Sequence, residues 1–235
     1  MHIGILQTEH VLDQFQGEFG NYPSMFEGLL RGVRDDLTFT TYDVQEAIPA
    51  DIICDAYLIT GSRHSVYDDF PWIQALGDYL KEVLAANKKI LGICFGHQLM
   101  AHYFGGCVGP AEAGWAVGVH TSEITRAHSW MGDATTQINL VSSHKDQVQA
   151  MPQGAELYAT NAFCPIAGFT MSDQVWTIQG HPEFEPEYSR ALMTFRREII
   201  GEETYHDGIA SSQTQTDSLQ LARWMLDFVD GGSNE

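Results

Sequence analysis

The chain has 235 residues, with 12 Lys+Arg against 31 Asp+Glu and a formal net charge of −19 when histidine is neutral. That acid excess repels phosphate backbones and anionic lipid, and no basic run exceeds Lys88-Lys89 or Arg196-Arg197, so neither nucleic-acid nor membrane-surface binding is expected. With 44% apolar and only 18% charged residues the chain is no disordered acidic tail, and at this length one compact unit buries roughly 70–75% of its extended-chain surface.

The first residues, MHIGILQTEH, carry no basic segment and no long apolar core, which speaks against a signal peptide and for a strand over 2–7. Further short apolar runs at 56–60 (AYLIT) and 90–93 (ILGI) alternate with segments of helical period, the pattern of a parallel sheet. Between them, Phe70 to Ala86 sets Trp72, Ile73, Leu76, Tyr79, Leu80, Val83 and Leu84 three and four apart behind Pro71, which predicts a crossover helix. After Gly105-Gly106 the alternation through 115–180 shortens and turns more polar, as for antiparallel or edge strands such as VWTIQ.

From Pro186 a second amphipathic helix is expected on Tyr188, Ala191, Leu192, Phe195 and Ile199. Residues 201–216 read as a polar loop. A last helix near Leu219 to Val229 carries Leu221, Trp224, Met225 and Phe228 on one stripe, too apolar for solvent, so it packs on its own domain or on a second copy in a homodimer. The terminal GGSNE reads as a frayed end. The expected organisation is a domain over 1–200 and a C-terminal extension over 201–235. No apolar stretch approaches the roughly 20 residues of a membrane span.

Cys54, Cys94, Cys107 and Cys164 are scattered without a CxxC pair, which suggests neither a disulfide frame nor a zinc knuckle and fits a reducing cytoplasm. One of them is framed differently. In ILGICFGHQLMAHYFGG, Gly92 and Gly96 flank Cys94 where a buried strand turns abruptly into a helix, a nucleophile elbow with cysteine in the serine position. Small flanking residues are needed because the nucleophile sits in a strained backbone conformation. The helix that follows points unpaired N–H groups at the sulfur, which favours thiolate, and sets the Phe95 N–H to hold an oxyanion. The other three cysteines are expected to be buried, inert thiols.

A thiol nucleophile needs a base, and the base needs an orienting acceptor. In VWTIQGHPEFEPEY, a strand is expected to end in His181 and Pro182 to break its ladder, so that Glu183 can fix the imidazole tautomer while the other nitrogen faces Cys94. Glu185 and Glu187 read as acids at the positive end of the next helix. No HExxH or similar ligand spacing occurs, so no metal and no cofactor are expected. His97, His102, His120 and His128 read as core or surface residues.

With these motifs, the chain resembles the class I, triad-type glutamine amidotransferases over most of residues 2–195. GICFGHQ at 92–98 resembles the nucleophile motif and QGHPEF at 179–184 the His/Glu motif. SHKDQV at 143–148 is similar to a substrate-side loop, and CPIAGF at 164–169 to the strand before the histidine. The resemblance implies a doubly wound, mostly parallel α/β sheet of flavodoxin-like type with an added antiparallel edge. It implies Cys94 as nucleophile, His181 as base then acid, and Glu183 as orienter. The backbone N–H groups of Phe95 and Ser62 would form the oxyanion hole, and Gln98, Gly61, Ser143 and His144 would lie at the substrate.

Where synthetase-linked members carry Gly-Gly-Pro after the third strand, this chain reads LITGSRHSVYDD, and Gly180 stands where they have Phe before the histidine. Both departures resemble the free-standing, GMP-synthase-glutaminase-like branch that includes plant γ-glutamyl peptidases. The resemblance therefore implies hydrolysis of a γ-glutamyl amide through a γ-glutamyl thioester. The leaving group is ammonia passed to a separate synthetase, or the amine of a γ-glutamyl peptide. A non-catalytic partner protein is the reading from another class. Arg63 is expected to pair with Asp68 and Asp69 or to meet a substrate carboxylate.

Overall fold

The computed structural model describes residues 1–132 and 135–231. The chain opens with β1 (His2–Gln7), α1 (Asp13–Phe19), α2 (Tyr22–Arg31), β2 (Thr38–Asp43) and β3 (Ala56–Ile59). Next come α3 (Pro71–Ala85), β4 (Lys89–Ile93), α4 (Phe95–Tyr103), β5 (Cys107–Pro110) and β6 (Ala116–Ile124). Strands β7 (Gln137–His144), β8 (Asp146–Ala150), β9 (Ala155–Thr160), β10 (Gly168–Met171) and β11 (Val175–Ile178) follow, then α5 (Pro186–Phe195), α6 (Arg197–Ile200), α7 (Glu202–Ser211) and α8 (Ser218–Val229).

One nine-stranded sheet runs in the order β2-β1-β3-β4-β11-β10-β9-β6-β7. The first five of these are parallel, and the rest are joined by antiparallel pairing. Alternation along each parallel strand divides the core. Ile3, Ile5, Leu58, Leu91 and Ile93 face α2 and α8, whereas Leu6, Tyr57, Ile59 and Ile90 face α3 and α4. Both sheet faces are covered, so the flavodoxin-like, doubly wound arrangement with an added antiparallel edge is the observed one. Among the described residues no helix is long and apolar enough to cross a membrane.

Three expectations are corrected. VWTI is not an edge strand: β11 lies between β4 and β10 with all four residues buried, because its parallel pairing to β4 places it inside the sheet. The helix expected from Pro186 is interrupted at Arg196: Phe195 ends α5 with its ring against Phe15, and Ile199, beyond the break, is exposed rather than buried with Tyr188 and Leu192. Residues 202–211 form a helix rather than loop. Its Gly208 lies against Val117 of β6 and Met193 of α5, and Ser211 Oγ accepts the Val119 N–H at 2.9 Å. As expected, Glu185 and Glu187 stand at the N-terminal end of α5, Glu185 at the N-cap without a side-chain capping bond and Glu187 in the first turn, paired with Arg190 at 2.6 Å.

Helix α8 buries Leu221, Trp224, Met225 and Phe228 in the same core cluster as α2 and the sheet. The Trp224 indole N–H donates to the Met131 carbonyl at 2.7 Å, and its ring meets Trp130 edge-on. The last residues of GGSNE, 232–235, lie outside the described residues. Trp224→Ala is expected to cost about 3–5 kcal/mol in denaturant unfolding. Trp224→Phe, which keeps an aromatic ring but loses the indole N–H and part of the bicycle's volume, should cost less, about 2–3 kcal/mol.

Candidate active site

Every element of the site stands at the carboxyl edge of the parallel strands, where an open α/β sheet binds ligands. Cys94 follows β4 directly and has φ +50° and ψ −98°. A non-glycine residue in this region costs on the order of 1–3 kcal/mol and persists only when its surroundings hold it. Here the Cys94 N–H donates to Ile178 O of β11 at 2.9 Å, and the Cys94 carbonyl accepts the Gln98 N–H at 3.0 Å. The turn is also tight in space. A Cβ on Gly92 would lie 2.8 Å from the Gly96 carbonyl, and one on Gly96 would lie 2.7 Å from Ile59 Cβ. The elbow inferred from the two glycines is therefore a matter of close approach as well as strain. Phe95 is the first residue of α4, so its N–H has no intrahelical acceptor and remains for a ligand.

Strand β11 ends at Ile178, short of the expected end at His181, and His181 is fixed instead by its own N–H, which donates to Val141 O of β7 at 2.8 Å in an isolated bridge. Its Nδ1 meets Glu183 Oε1 at 2.8 Å, and its ring stacks on Phe184 with centroids 4.0 Å apart and planes 13° apart. Nδ1–H then donates to the carboxylate and Nε2 is left for the sulfur. Burial pulls the His181 pKa down, but the Glu183 carboxylate and the Cys94 sulfur beside it outweigh burial and raise it to about 10. The imidazole is therefore held as imidazolium at neutral pH. The Glu183 side chain is fully buried, and its second oxygen, Oε2, has no hydrogen-bond partner.

Gly61, Ser62, Gln98, Ser143 and His144 share with Cys94 and His181 the wall of one cleft of about 300 Å³, while Glu183 stands behind His181. Gln98 is buried, and its amide donates to Asp146 O at 2.8 Å and to Gln179 Oε1 at 3.1 Å. His144 meets the same Asp146 carbonyl at 3.0 Å, and burial lowers its pKa to about 3, so it is neutral. His97 is wholly buried between Thr177 and Ile166. Among the described residues no group of three or more His, Cys, Asp or Glu is placed to hold a metal.

The loop after β3 is held from two sides that sequence reasoning did not identify. Arg63 makes a bidentate pair with Glu9, Nε to Oε2 at 2.6 Å and Nη2 to Oε1 at 2.8 Å. Its partner is thus neither Asp68 nor Asp69, because β1 and β3 are neighbours and bring the end of β1 under the loop. On the other side, Ser65 Oγ and Tyr67 OH both donate to Asp146 Oδ2, at 2.5 and 2.9 Å. The only trace of this in the sequence is the acid of SHKDQV.

Cys54 and Cys164 are buried, and burial raises both thiols, that of Cys164 to about 12. Cys107, expected to be buried, is exposed because β5 pairs only with β8 in a small separate sheet. Iodoacetamide at neutral pH should therefore label Cys94 and Cys107 and spare Cys54 and Cys164. His181→Ala should slow labelling at Cys94 and leave Cys107 unchanged, as read by peptide mapping.

The model of the glutamine amidotransferase class-I family matches residues 21–199. A glutamine amidotransferase-like protein of Schizosaccharomyces pombe is 29% identical over 248 residues, covering 97% of this chain and 98% of that protein. Gamma-glutamyl peptidase 4 of Arabidopsis thaliana is 32% identical over 174 residues, 71% of this chain and 69% of that one. In the solved structure of a glutamine amidotransferase from Thermotoga maritima the fold recurs with a TM-score of 0.78 at 17% identity, over 98% of this chain and 99% of that chain. With an elbow cysteine, a paired histidine and a family match over most of its length, the chain belongs to the class I glutamine amidotransferase family.

Proposed function

We propose that the protein is a cysteine-dependent amidohydrolase that cleaves the γ-glutamyl amide bond through a γ-glutamyl thioester. The observation that carries this is the buried His181–Glu183 pair beside an elbow cysteine that its backbone turns into the cleft. The Cys94 sulfur attacks the δ-carbon of the γ-glutamyl group, and the oxyanion forms where the Phe95 and Ser62 N–H groups can receive it. As the tetrahedral species collapses, the imidazolium of His181 gives its proton to the leaving nitrogen and the C–N bond breaks.

The thioester changes the electrostatics of the base. Once the sulfur is acylated, one of the two anions that raise the His181 pKa is gone, and the neutral imidazole can take a proton from water. That water attacks the thioester carbon, glutamate leaves, and the sulfur is restored with a protonated imidazole beside it. Glu183 holds the tautomer through both halves.

Turnover without a partner is supported by the oxyanion loop, which this chain's own Glu9 and Asp146 clamp. A reducing cytoplasm is the compartment that suits a thiol nucleophile and three further unpaired cysteines. Ammonia release from glutamine and amino-acid release from γ-glutamyl dipeptides, assayed on the purified chain alone, test the reaction.

Cys94→Ala and His181→Ala should each abolish turnover, with the double mutant little worse than either. Additive losses would contradict the assigned roles. The alkaline limb of kcat/KM should lie near pH 10, where the raised imidazolium loses its proton, and Glu183→Gln should shift that limb to lower pH by removing an anion that raises it. Asp146→Asn, which weakens one side of the loop clamp, should lower kcat about tenfold or more while Cys94 labelling by iodoacetamide continues. Glutamine turnover that appears only after a synthetase is added would overturn partner-independent catalysis.

A further inference from the structure

In a chain of net charge −19, most lysines and arginines are taken up by carboxylates. Arg34, Arg63, Lys89, Arg126, Arg190 and Arg197 all form such pairs. Lys145 and Arg196 have no carboxylate partner among the described residues, and both line the cleft over Cys94. Arg196 is held in place by other means. Its Nη1 donates to Ser143 Oγ at 3.1 Å, and its guanidinium lies 5.7 Å from the Trp115 ring centroid. A guanidinium that is positioned but not neutralised is a ready site for an anion.

The same stretch of chain supplies the cleft with apolar surface. Phe195 and Ile199 are 55% and 69% exposed, among the most exposed large apolar side chains of the molecule, and both line this cleft with Trp115 and the buried Leu192. They stand on either side of the break at Arg196, Phe195 at the end of α5 and Ile199 in α6. The glutamyl part of any substrate is polar, and its δ-carbon must reach Cys94. Glutamine carries nothing beyond its amide nitrogen to cover this apolar rim.

Resting on the reaction proposed above, we infer that the substrate is a γ-glutamyl dipeptide whose leaving residue has a large apolar side chain, seated on Trp115, Phe195 and Ile199, with its terminal carboxylate bound by Arg196. Charge complementarity agrees with this assignment. A γ-glutamyl dipeptide has two carboxylates and the cleft has two unpaired cations, whereas glutamine has one carboxylate. Arg196 is adjacent in sequence to Phe195, so the carboxylate it takes belongs to the part of the ligand that covers the apolar rim. Lys145 follows His144, on the loop tied to Gln98 through Asp146, and is placed for the glutamyl carboxylate.

The test compares kcat/KM for γ-Glu-Phe, γ-Glu-Gly, the C-terminal amide of γ-Glu-Phe, and glutamine. γ-Glu-Phe should exceed γ-Glu-Gly about tenfold or more through the buried ring, and should exceed its own amide by a similar factor through the charge-assisted bond. Arg196→Met should bring the acid-to-amide ratio towards one, chiefly through KM. The pair Phe195→Ser and Ile199→Ser, both at exposed positions, should bring the Phe-to-Gly ratio towards one. The inference is overturned if γ-Glu-Gly or glutamine is turned over as well as γ-Glu-Phe, or if the acid-to-amide ratio survives Arg196→Met. If none of the four compounds is hydrolysed, the proposed reaction itself fails, and the inference with it.

Discussion

One residue carries the chain from β4 into α4, and the rest of the site is arranged around that turn. A strand that ends in a gradual loop would leave the cysteine side chain among the core residues that flank it, Ile93 and Phe95. The positive φ of Cys94 turns the sulfur out into the cleft and aims the first N–H groups of α4 at the same point. The strain is held by two backbone bonds, to β11 and to Gln98, and by the absence of side chains at Gly92 and Gly96, where strand, helix and β3 pack without room for a methyl group. Since β11 is the strand that restrains Cys94 and also the strand that leads to His181, the two side chains are set by one piece of sheet.

Cys94, His181 and Glu183 sit in a largely dry setting, and there the partners of a histidine decide its charge. Burial alone would strip His181 of its proton, as it does for His144 nearby, whose closest polar contact is a carbonyl. What differs is the company of the Glu183 carboxylate on one ring nitrogen and the Cys94 sulfur at the other, both of which raise its pKa. Two buried histidines a few ångströms from one cleft therefore take opposite forms, one neutral and one charged, for a reason visible in their partners rather than in their depth. The stacked Phe184, itself packed by Tyr22 and Tyr188, keeps the imidazole from rotating out of this geometry.

The oxyanion loop shows how an acidic protein puts its carboxylates to structural use. Glu9 and Asp146 come from opposite sides of the cleft, both are almost wholly buried, and each is occupied by donors from the loop after β3. In the same region Arg196 and Lys145 have no carboxylate partner among the described residues, so the cleft of this negative molecule presents positive charge.

The parts of this protein legible from its residues alone are those fixed by neighbours in the chain. The elbow at Cys94, the crossover helix at 71–85 and the two-residue offset of His181 and Glu183 each follow from local constraints: small residues where backbone crowds, helical spacing of apolar groups, and a proline that ends a ladder. Position within the sheet was not legible, because the same run VWTI suits an edge or a centre, and only its pairing with β4 decides between them. Strand β2 left no trace, since TFTTYD faces solvent along much of its length. The helix over 202–211 is polar in composition and is held by the close approach of Gly208 to Val117 and Met193, a contact made only once β6 and α5 are in place. In the same way, the partner of Arg63 lies 54 residues away and that of Arg196 lies 53 away. Such pairs are chosen by packing, which brings together residues whose separation in sequence carries no signal of their contact, and it is these pairs that shape the loop and the rim of the cleft.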